Sequence, residues 1–183
     1  MVAAPSAFAD ITTYRATMSG PAEAPPNPSP GAGIATVIID DEAFTMQFNV
    51  PFADLVGTTF AGHLHCCTPE PLIGTAGVAT PFEGFPTGVR SGLFTQTFNL
   101  NDAATYSPVF INNNGGTVTS ARDALLTGIS QYRSYINIHS NVYPNGEIRG
   151  FLVPLAPVPE PTSWAMLAVG LAGVGFMARR KQR

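Results

Sequence analysis

The sequence predicts an antiparallel β-sandwich with one short helix. Its 18 glycines and 17 prolines make up about 19% of the 183 residues, which favours short strands joined by turns over long helices. Hydrophobic residues reach 45% and charged residues only 11%, so the chain can bury a core and is not a disordered, highly charged polymer. Short β-branched, alternating segments recur along the chain. Together these observations exclude helical bundles and coiled coils.

The predicted strands are short and are separated by turn-forming residues. They cover 11–19, 34–39, 43–50, 58–67, 91–100, 132–140 and 146–153. The alternation is cleanest in 43–50, where one face carries Phe44, Met46, Phe48 and Val50. Acidic residues 40–42 predict a hairpin turn before that strand. Residues 21–33 and 68–90 are rich in proline or glycine and are predicted to be loops.

One segment, residues 119–130, has the character of a helix. Ser120 is the predicted N-cap, with Asp123 three residues further on. No internal repeat is present, so the strands and this helix are expected to form one domain.

Charge is distributed unevenly. Between Asp10 and Pro159 there are five arginines, no lysine and eleven acidic residues, while four of the nine basic residues fall in the last five positions. Nucleic-acid binding needs a basic surface that neutralises phosphates. The acidic body therefore excludes nucleic acid as a partner.

The C-terminal region has the features of a membrane segment. Residues 164–178 carry no charge, follow a proline-rich linker over 154–163, and precede a basic end at 179–183. As a helix, this run would be about 22 Å long, somewhat short of a hydrocarbon core of about 30 Å. A buried core helix is the alternative, but the terminal position and the basic end favour a transmembrane helix with a cytoplasmic C-terminus.

Three features in this order resemble the PEP-CTERM sorting signal of Gram-negative bacteria. They are the motif Pro159-Glu160-Pro161, the apolar run, and the basic group Arg179-Arg180-Lys181. The resemblance implies that an exosortase recognises the tail at the membrane and removes it. The body would pass through an inner-membrane intermediate to the cell surface or the extracellular matrix.

The N-terminus is consistent with export. Ala7-Phe8-Ala9 has the small-residue pattern of a signal-peptidase site, although residues 1–9 lack a basic n-region and an apolar h-region. We expect residues 1–9 to be the remnant of a longer signal peptide. A chance match in an alanine-rich segment is the alternative.

The body resembles a second family, the CHRD domain first described in chordin. The similarity lies in Gly62-His63-Leu64-His65, in the segment 135–140 (YINIHS) and in the closing segment 144–150 (PNGEIRG). It implies a β-sandwich over residues 10–153, superoxide-dismutase-like in outline, in an extracellular protein without established catalytic activity. We therefore expect a non-catalytic binding or structural module, with an exopolysaccharide or a matrix protein as its partner.

The three histidines of the chain form a candidate metal site. In a strand, His63, His65 and Cys67 project from one face, and His139 joins them if its strand is adjacent. Imidazoles suit copper and zinc, and this pattern is similar to the copper site of copper/zinc superoxide dismutases. A metal-dependent redox protein is thus the alternative function, although a two-metal dismutase would need further histidines. Packing of the histidines on a half-buried sheet face remains the other interpretation.

Two further pairs need an assignment. Cys66 and Cys67 are the only cysteines, so they form a vicinal disulfide, remain thiols, bind a metal or cross-link chains, and we favour the disulfide. Glu147 and Arg149 share a face of the last strand. A catalytic acid with its electrostatic partner is one interpretation, and a structural ion pair is the one we favour.

Overall fold

The computed structural model describes residues 11–155, which form one curled antiparallel sheet with a few short helices. The nine strands are β1 (Ile11–Ser19), β2 (Ala32–Asp40), β3 (Thr45–Ala53), β4 (Thr59–Cys66), β5 (Val78–Pro81), β6 (Gly92–Asn99), β7 (Ser134–Ser140), β8 (Ile148–Phe151) and β9 (Val153–Pro154). Their order is β5-β4-β7-β8-β1-β2-β3-β6, and β9 pairs with β1. This all-β antiparallel architecture confirms the predicted fold class and is consistent with a β-sandwich.

Apolar alternation determines which face of each strand is buried. In β3, the side chains of Met46, Phe48, Val50 and Phe52 are buried, while the intervening residues face solvent. Phe44 was predicted to belong to this face, but it lies in the β2–β3 turn with a φ of 52° and is half-buried. Strand β3 therefore begins at Thr45, two residues later than predicted, because the turn needs a left-handed residue at position 44.

An aromatic cluster joins the two ends of the curled sheet. Phe48 of β3 lies edge-on to Phe82, which follows β5, with ring centroids 4.9 Å apart. Phe82 in turn stacks on Phe94 of β6 at 4.6 Å. Since β5 and β6 occupy opposite edges of the strand order, these contacts close the core between them.

Two short helices and a 3₁₀ turn cover the core. The turn is Ala103–Thr105, α1 is Pro108–Asn113 and α2 is Val118–Ser130. The predicted helix is present as α2, but its N-cap is Thr117, and Ser120 completes the capping box from the third helical position. The predicted cap was therefore wrong by one turn.

The sequence prediction did not include helix α1, strand β5 or the 3₁₀ turn. Helix α1 is a single short element that starts at Pro108 with Ser107 as its N-cap, too short for a visible apolar period. Strand β5 lies inside the predicted loop 68–90 and is only four residues long. Both depend on contacts with distant segments, such as the Ser107 hydroxyl donating to the Val78 carbonyl at 2.6 Å.

The predicted terminal segments lie outside the described residues. These are the signal-peptide remnant 1–9, most of the linker with its motif Pro159-Glu160-Pro161, the transmembrane helix 164–178 and the basic end with Arg179, Arg180 and Lys181. Within residues 11–155, no helix is long and apolar enough to span a membrane.

Candidate metal centre

The pairing of β4 with β7 brings the three histidines together. His63 lies opposite Asn137, His65 lies opposite Tyr135, and His139 lies opposite Ala61 two positions along. In β4 the buried Leu64 faces the core, so His63 and His65 project from the other side of the sheet. In β7 the same alternation places His139 on that outer face. The predicted site required the strands of His63 and His139 to be adjacent, and β4 and β7 are paired.

The three rings are in mutual contact. The ring centroids of His63 and His139 are 5.0 Å apart, those of His63 and His65 are 5.6 Å apart, and those of His65 and His139 are 6.1 Å apart. One potential ligand nitrogen from each ring lies within 4.8 Å of the other two. Three nitrogens bound to one ion at about 2.0–2.1 Å in a trigonal site are about 3.5–3.6 Å from one another, so a movement of less than about 1 Å for each ring closes the site.

Backbone carbonyls fix which nitrogen of two histidines is free. The Nδ1 of His65 lies 2.9 Å from the Ala76 carbonyl oxygen, and the Nδ1 of His139 lies 3.0 Å from the Pro144 carbonyl oxygen. A carbonyl only accepts, so both Nδ1 atoms carry the proton and both Nε2 atoms keep a free lone pair. Such a carbonyl partner is the usual second interaction of a metal-bound histidine.

Among residues 11–155, three buried ring nitrogens have no hydrogen-bond partner. They are Nδ1 of His63, Nε2 of His65 and Nε2 of His139. A buried polar atom without a partner is costly, and in a native protein it needs an explanation. One atom from each of the three rings is involved, which is the pattern expected of a ligand set. The residues present therefore fit a metal ion.

The electrostatic environment keeps the imidazoles neutral. Burial lowers the pKa of His63 to about 4, and the nearby His139 and His65 contribute to the shift. Burial likewise lowers the pKa of His65 to about 4 against the opposing hydrogen bond from Ala76, and it lowers the pKa of His139. Neutral imidazole is the form that binds metals.

Tyr135 and Arg149 pack against the histidine cluster. The Tyr135 ring stacks on His65 with centroids 4.8 Å apart and an interplanar angle of 1°. The Arg149 guanidinium lies over the Tyr135 ring at 5.0 Å. Arg149 also donates to the carbonyls of Ala22 at 2.5 Å and Gly74 at 3.0 Å. Through these hydrogen bonds, Arg149 holds the loops that contain Ala22 and Gly74 against this face of the sheet.

The structure does not bring Cys67 to the histidines. Strand β4 ends at Cys66, so the alternation on which that prediction depended does not reach the next residue. Cys66 and Cys67 are joined in a disulfide across a cis peptide bond. The Cys67 sulfur lies 3.6 Å from the Ala124 carbonyl of α2, and the cluster of potential ligands in residues 11–155 contains the three histidines alone.

The predicted ion pair between Glu147 and Arg149 is corrected. Strand β8 begins at Ile148, so the two side chains do not share a strand face. The carboxylate facing Arg149 belongs to Glu23, with 3.9 Å between Nε and Oε2. Glu147 instead accepts hydrogen bonds from the Ser29 and Ser140 hydroxyls and from backbone amides.

Glu23 and Tyr135 were missed by the sequence prediction. Glu23 is an isolated acid in a proline-rich loop that has no periodicity, yet its side chain is only 4% exposed. Its burial, like that of Tyr135, depends on which loops cover the outer face of β7 and β8. The only available signal was one acidic residue among apolar neighbours.

Comparison with known protein families gives two matches. A family model described as the CHRD domain matches residues 14–152, and one described as the PEP-CTERM protein-sorting motif matches residues 157–181. Comparison with curated proteins and with solved structures gave no match. The first match contains all three histidines, and the second contains the motif Pro159-Glu160-Pro161 and the basic group 179–181. Both predicted resemblances are confirmed.

Proposed function

The chain belongs to the CHRD domain family, and from this premise we propose that it is a non-catalytic module that binds one copper or zinc ion outside the cell. Its sorting motif makes it a substrate of an exosortase, which delivers it to the surface or the extracellular matrix. The unpartnered nitrogens of His63, His65 and His139 carry the metal part of the proposal.

Sorting proceeds through the membrane. In this proposal the apolar run 164–178 holds the exported body at the inner membrane of a Gram-negative bacterium, with the basic end 179–183 in the cytoplasm. Exosortase cleavage near Pro159-Glu160-Pro161 then releases the body. Because β9 pairs with β1 and ends at Pro154, the tail leaves the sheet only a few residues before the motif. This short spacing is compatible with a folded body held close to the membrane.

The contacts of the three rings support a binding role. The histidines touch one another, the rings of Phe60 and Tyr135, and two backbone carbonyls. These contacts orient ligands for an ion and supply no activated nucleophile. A module of this kind would act in the matrix by holding metal or by contacting an exopolysaccharide or matrix protein.

Sorting is tested by changing the motif. We expect the wild-type chain, in a bacterium that expresses an exosortase, to lose its tail and to appear in the surface or released fraction. Replacement of Pro159, Glu160 and Pro161 by Ala should leave full-length protein in the membrane fraction, as measured by fractionation and intact mass. Ser163→Ala, between the motif and the apolar run, is the control and should be processed normally. Full-length wild type that remains in membranes would instead indicate a permanent anchor.

Metal binding is tested on the processed protein without a histidine tag. After incubation with copper or zinc and removal of free ions, we expect about one ion per chain by elemental analysis. His139→Ala removes one of three ligands and should reduce the retained metal to below about one tenth of an ion per chain.

The matched control is Phe60→Ala, which removes a ring 5.9 Å from His139 but no ligand. This variant should retain the metal. A folded wild-type protein that holds no copper or zinc would show that the histidines only pack on the sheet face. Turnover of a reductant or of superoxide by the copper form would support the redox alternative and contradict the non-catalytic role.

A further inference from the structure

We propose that the three-histidine site selects monovalent copper over Cu²⁺ and Zn²⁺, and that the charge of Arg149 contributes to this selectivity. The inference rests on the proposed metal binding and adds the identity and oxidation state of the ion. Two independent features carry it, namely the number and charge of the ligands and the cation held behind them.

The ligand set is small and neutral. Among the described residues, the group that could hold an ion consists of three imidazoles, with no carboxylate or thiolate. Three histidines hold Zn²⁺ only with a water or other ligand in a fourth position, and Cu²⁺ prefers tetragonal surroundings with further ligands. Cu⁺ has a filled d shell and accepts three nitrogen ligands. Three neutral ligands also leave the full charge of the ion uncompensated, which costs more for a dication.

Arg149 places a positive charge behind the site. Its guanidinium lies over Tyr135, and Tyr135 stacks on His65, so only one ring separates the cation from a ligand. A fixed positive charge repels a dication twice as strongly as a monovalent ion at the same distance. Arg149 therefore shifts the relative affinities towards Cu⁺.

The charge of Glu23 determines how strong the positive potential of Arg149 is at the three histidines. Its Oε2 lies 3.9 Å from Nε of Arg149, and the side chains are 4% and 7% exposed, respectively. When Glu23 is ionised it partly cancels the guanidinium charge. One other acid, Glu83, lines the surface depression next to His63, but it is exposed and its charge is screened by solvent.

Glu23→Gln is a nearly isosteric variant that removes this opposing charge. The Asn137 amide donates to Oε2 of Glu23, and the carbonyl oxygen of the substituted glutamine can accept the same hydrogen bond. Its new NH₂ group can donate to the Asn137 Oδ1, which is buried without a partner. The variant is therefore expected to fold. With Glu23 neutral, the full Arg149 charge acts on the bound ion.

The experiment is a set of competition titrations at pH 8, with Cu⁺ kept reduced under anaerobic conditions by ascorbate, which leaves the Cys66–Cys67 disulfide intact, and with Cu²⁺ and Zn²⁺ separately. We expect the wild-type protein to bind Cu⁺ more tightly than either dication, chiefly through its three neutral ligands, because ionised Glu23 offsets much of the Arg149 charge. Glu23→Gln should raise the ratio of Cu⁺ to Cu²⁺ affinity by roughly tenfold, the effect of one unit charge at about 10 Å in an effective dielectric of about 20. Glu42→Gln is the same substitution at an exposed turn and should leave the ratio unchanged.

The outcomes separate this inference from the proposed function. Equal or tighter binding of Zn²⁺ or Cu²⁺ by the wild-type protein overturns the selectivity for Cu⁺ but supports metal binding. Absence of binding of all three ions overturns both. A ratio that Glu23→Gln leaves unchanged overturns the role assigned to Arg149. The wild-type titrations test the selectivity without any variant.

Discussion

Replacement of Glu147 by Gln is expected to lower the free energy of unfolding by about 2–4 kcal/mol, because each buried donor left without an acceptor costs about 1–3 kcal/mol. Glu147 is fully buried, and its Oε1 accepts hydrogen bonds from the Ser29 hydroxyl at 2.6 Å and the Val56 amide at 2.5 Å. Its Oε2 accepts from the Gly57 amide at 3.1 Å and from the Ser140 hydroxyl. A glutamine NH₂ would face donors at one of these positions, leaving buried groups unpaired.

The same network predicts the pH dependence of stability. Burial alone would raise the pKa of Glu147, but the hydrogen bonds from Ser140, Ser29, Val56 and Gly57 outweigh burial and lower it. A carboxylate with a lowered folded-state pKa stabilises the protein above its unfolded pKa, near 4.5, and loses that contribution as the pH falls through the folded value. The difference between wild type and Glu147→Gln should therefore shrink below about pH 4.5.

Urea denaturation at pH 7 and at acidic pH measures both effects. Glu42→Gln, the same change at an exposed position in the β2–β3 turn, should alter stability by less than about 0.5 kcal/mol. If Glu147→Gln were no more destabilising than this control, the carboxylate would not be the centre of the network.

Replacement of Gly128 by Ala is expected to destabilise the protein by about 1–3 kcal/mol, as overpacking of a core does. Within a helix this substitution normally stabilises by roughly 0.5–1 kcal/mol. The sign is reversed here because a Cβ on Gly128 would overlap the sulfur atoms of both Cys66 and Cys67. The disulfide occupies the space that the missing side chain leaves on α2.

A double-mutant cycle identifies the cause of this loss. In a chain that carries Cys66→Ser and Cys67→Ser, the smaller oxygens relieve the overlap, so Gly128→Ala should cost less than in the wild type. Thermal or urea denaturation gives the four stabilities, and intact mass with and without alkylation gives the state of the cysteines. An equal cost in both backgrounds would mean that the sulfurs are not responsible.

The sequence predicted what depends on neighbouring residues. Alternation of apolar side chains identified most strands, including β1 over its full length, and the helical period identified α2. The histidine pair of β4 needed only the two-residue period of a strand to share a face. The helix cap was misplaced because Thr117 and Ser120 both carry hydroxyls in a capping box, and the local pattern does not rank them.

Predictions failed where the observed strand is shorter than its pattern suggested. Alternation would have carried Cys67 to the histidine face and paired Glu147 with Arg149, but β4 ends at Cys66 and β8 begins at Ile148. Strand ends are set by pairing with neighbouring strands and by the loops that cover them. Neither is visible in a local pattern.

The sequence by itself determined the all-β antiparallel class, both family resemblances and the identity of the three potential ligands. The tertiary structure alone decided that β7 lies beside β4, so that His139 meets His63 and His65. It also decided that Arg149 reaches the Ala22 carbonyl, 127 positions away, and faces Glu23. The physical reason is the distance along the chain over which each feature is determined. Side-chain alternation is a local property of the backbone, whereas strand order and loop placement follow from burial of the whole core.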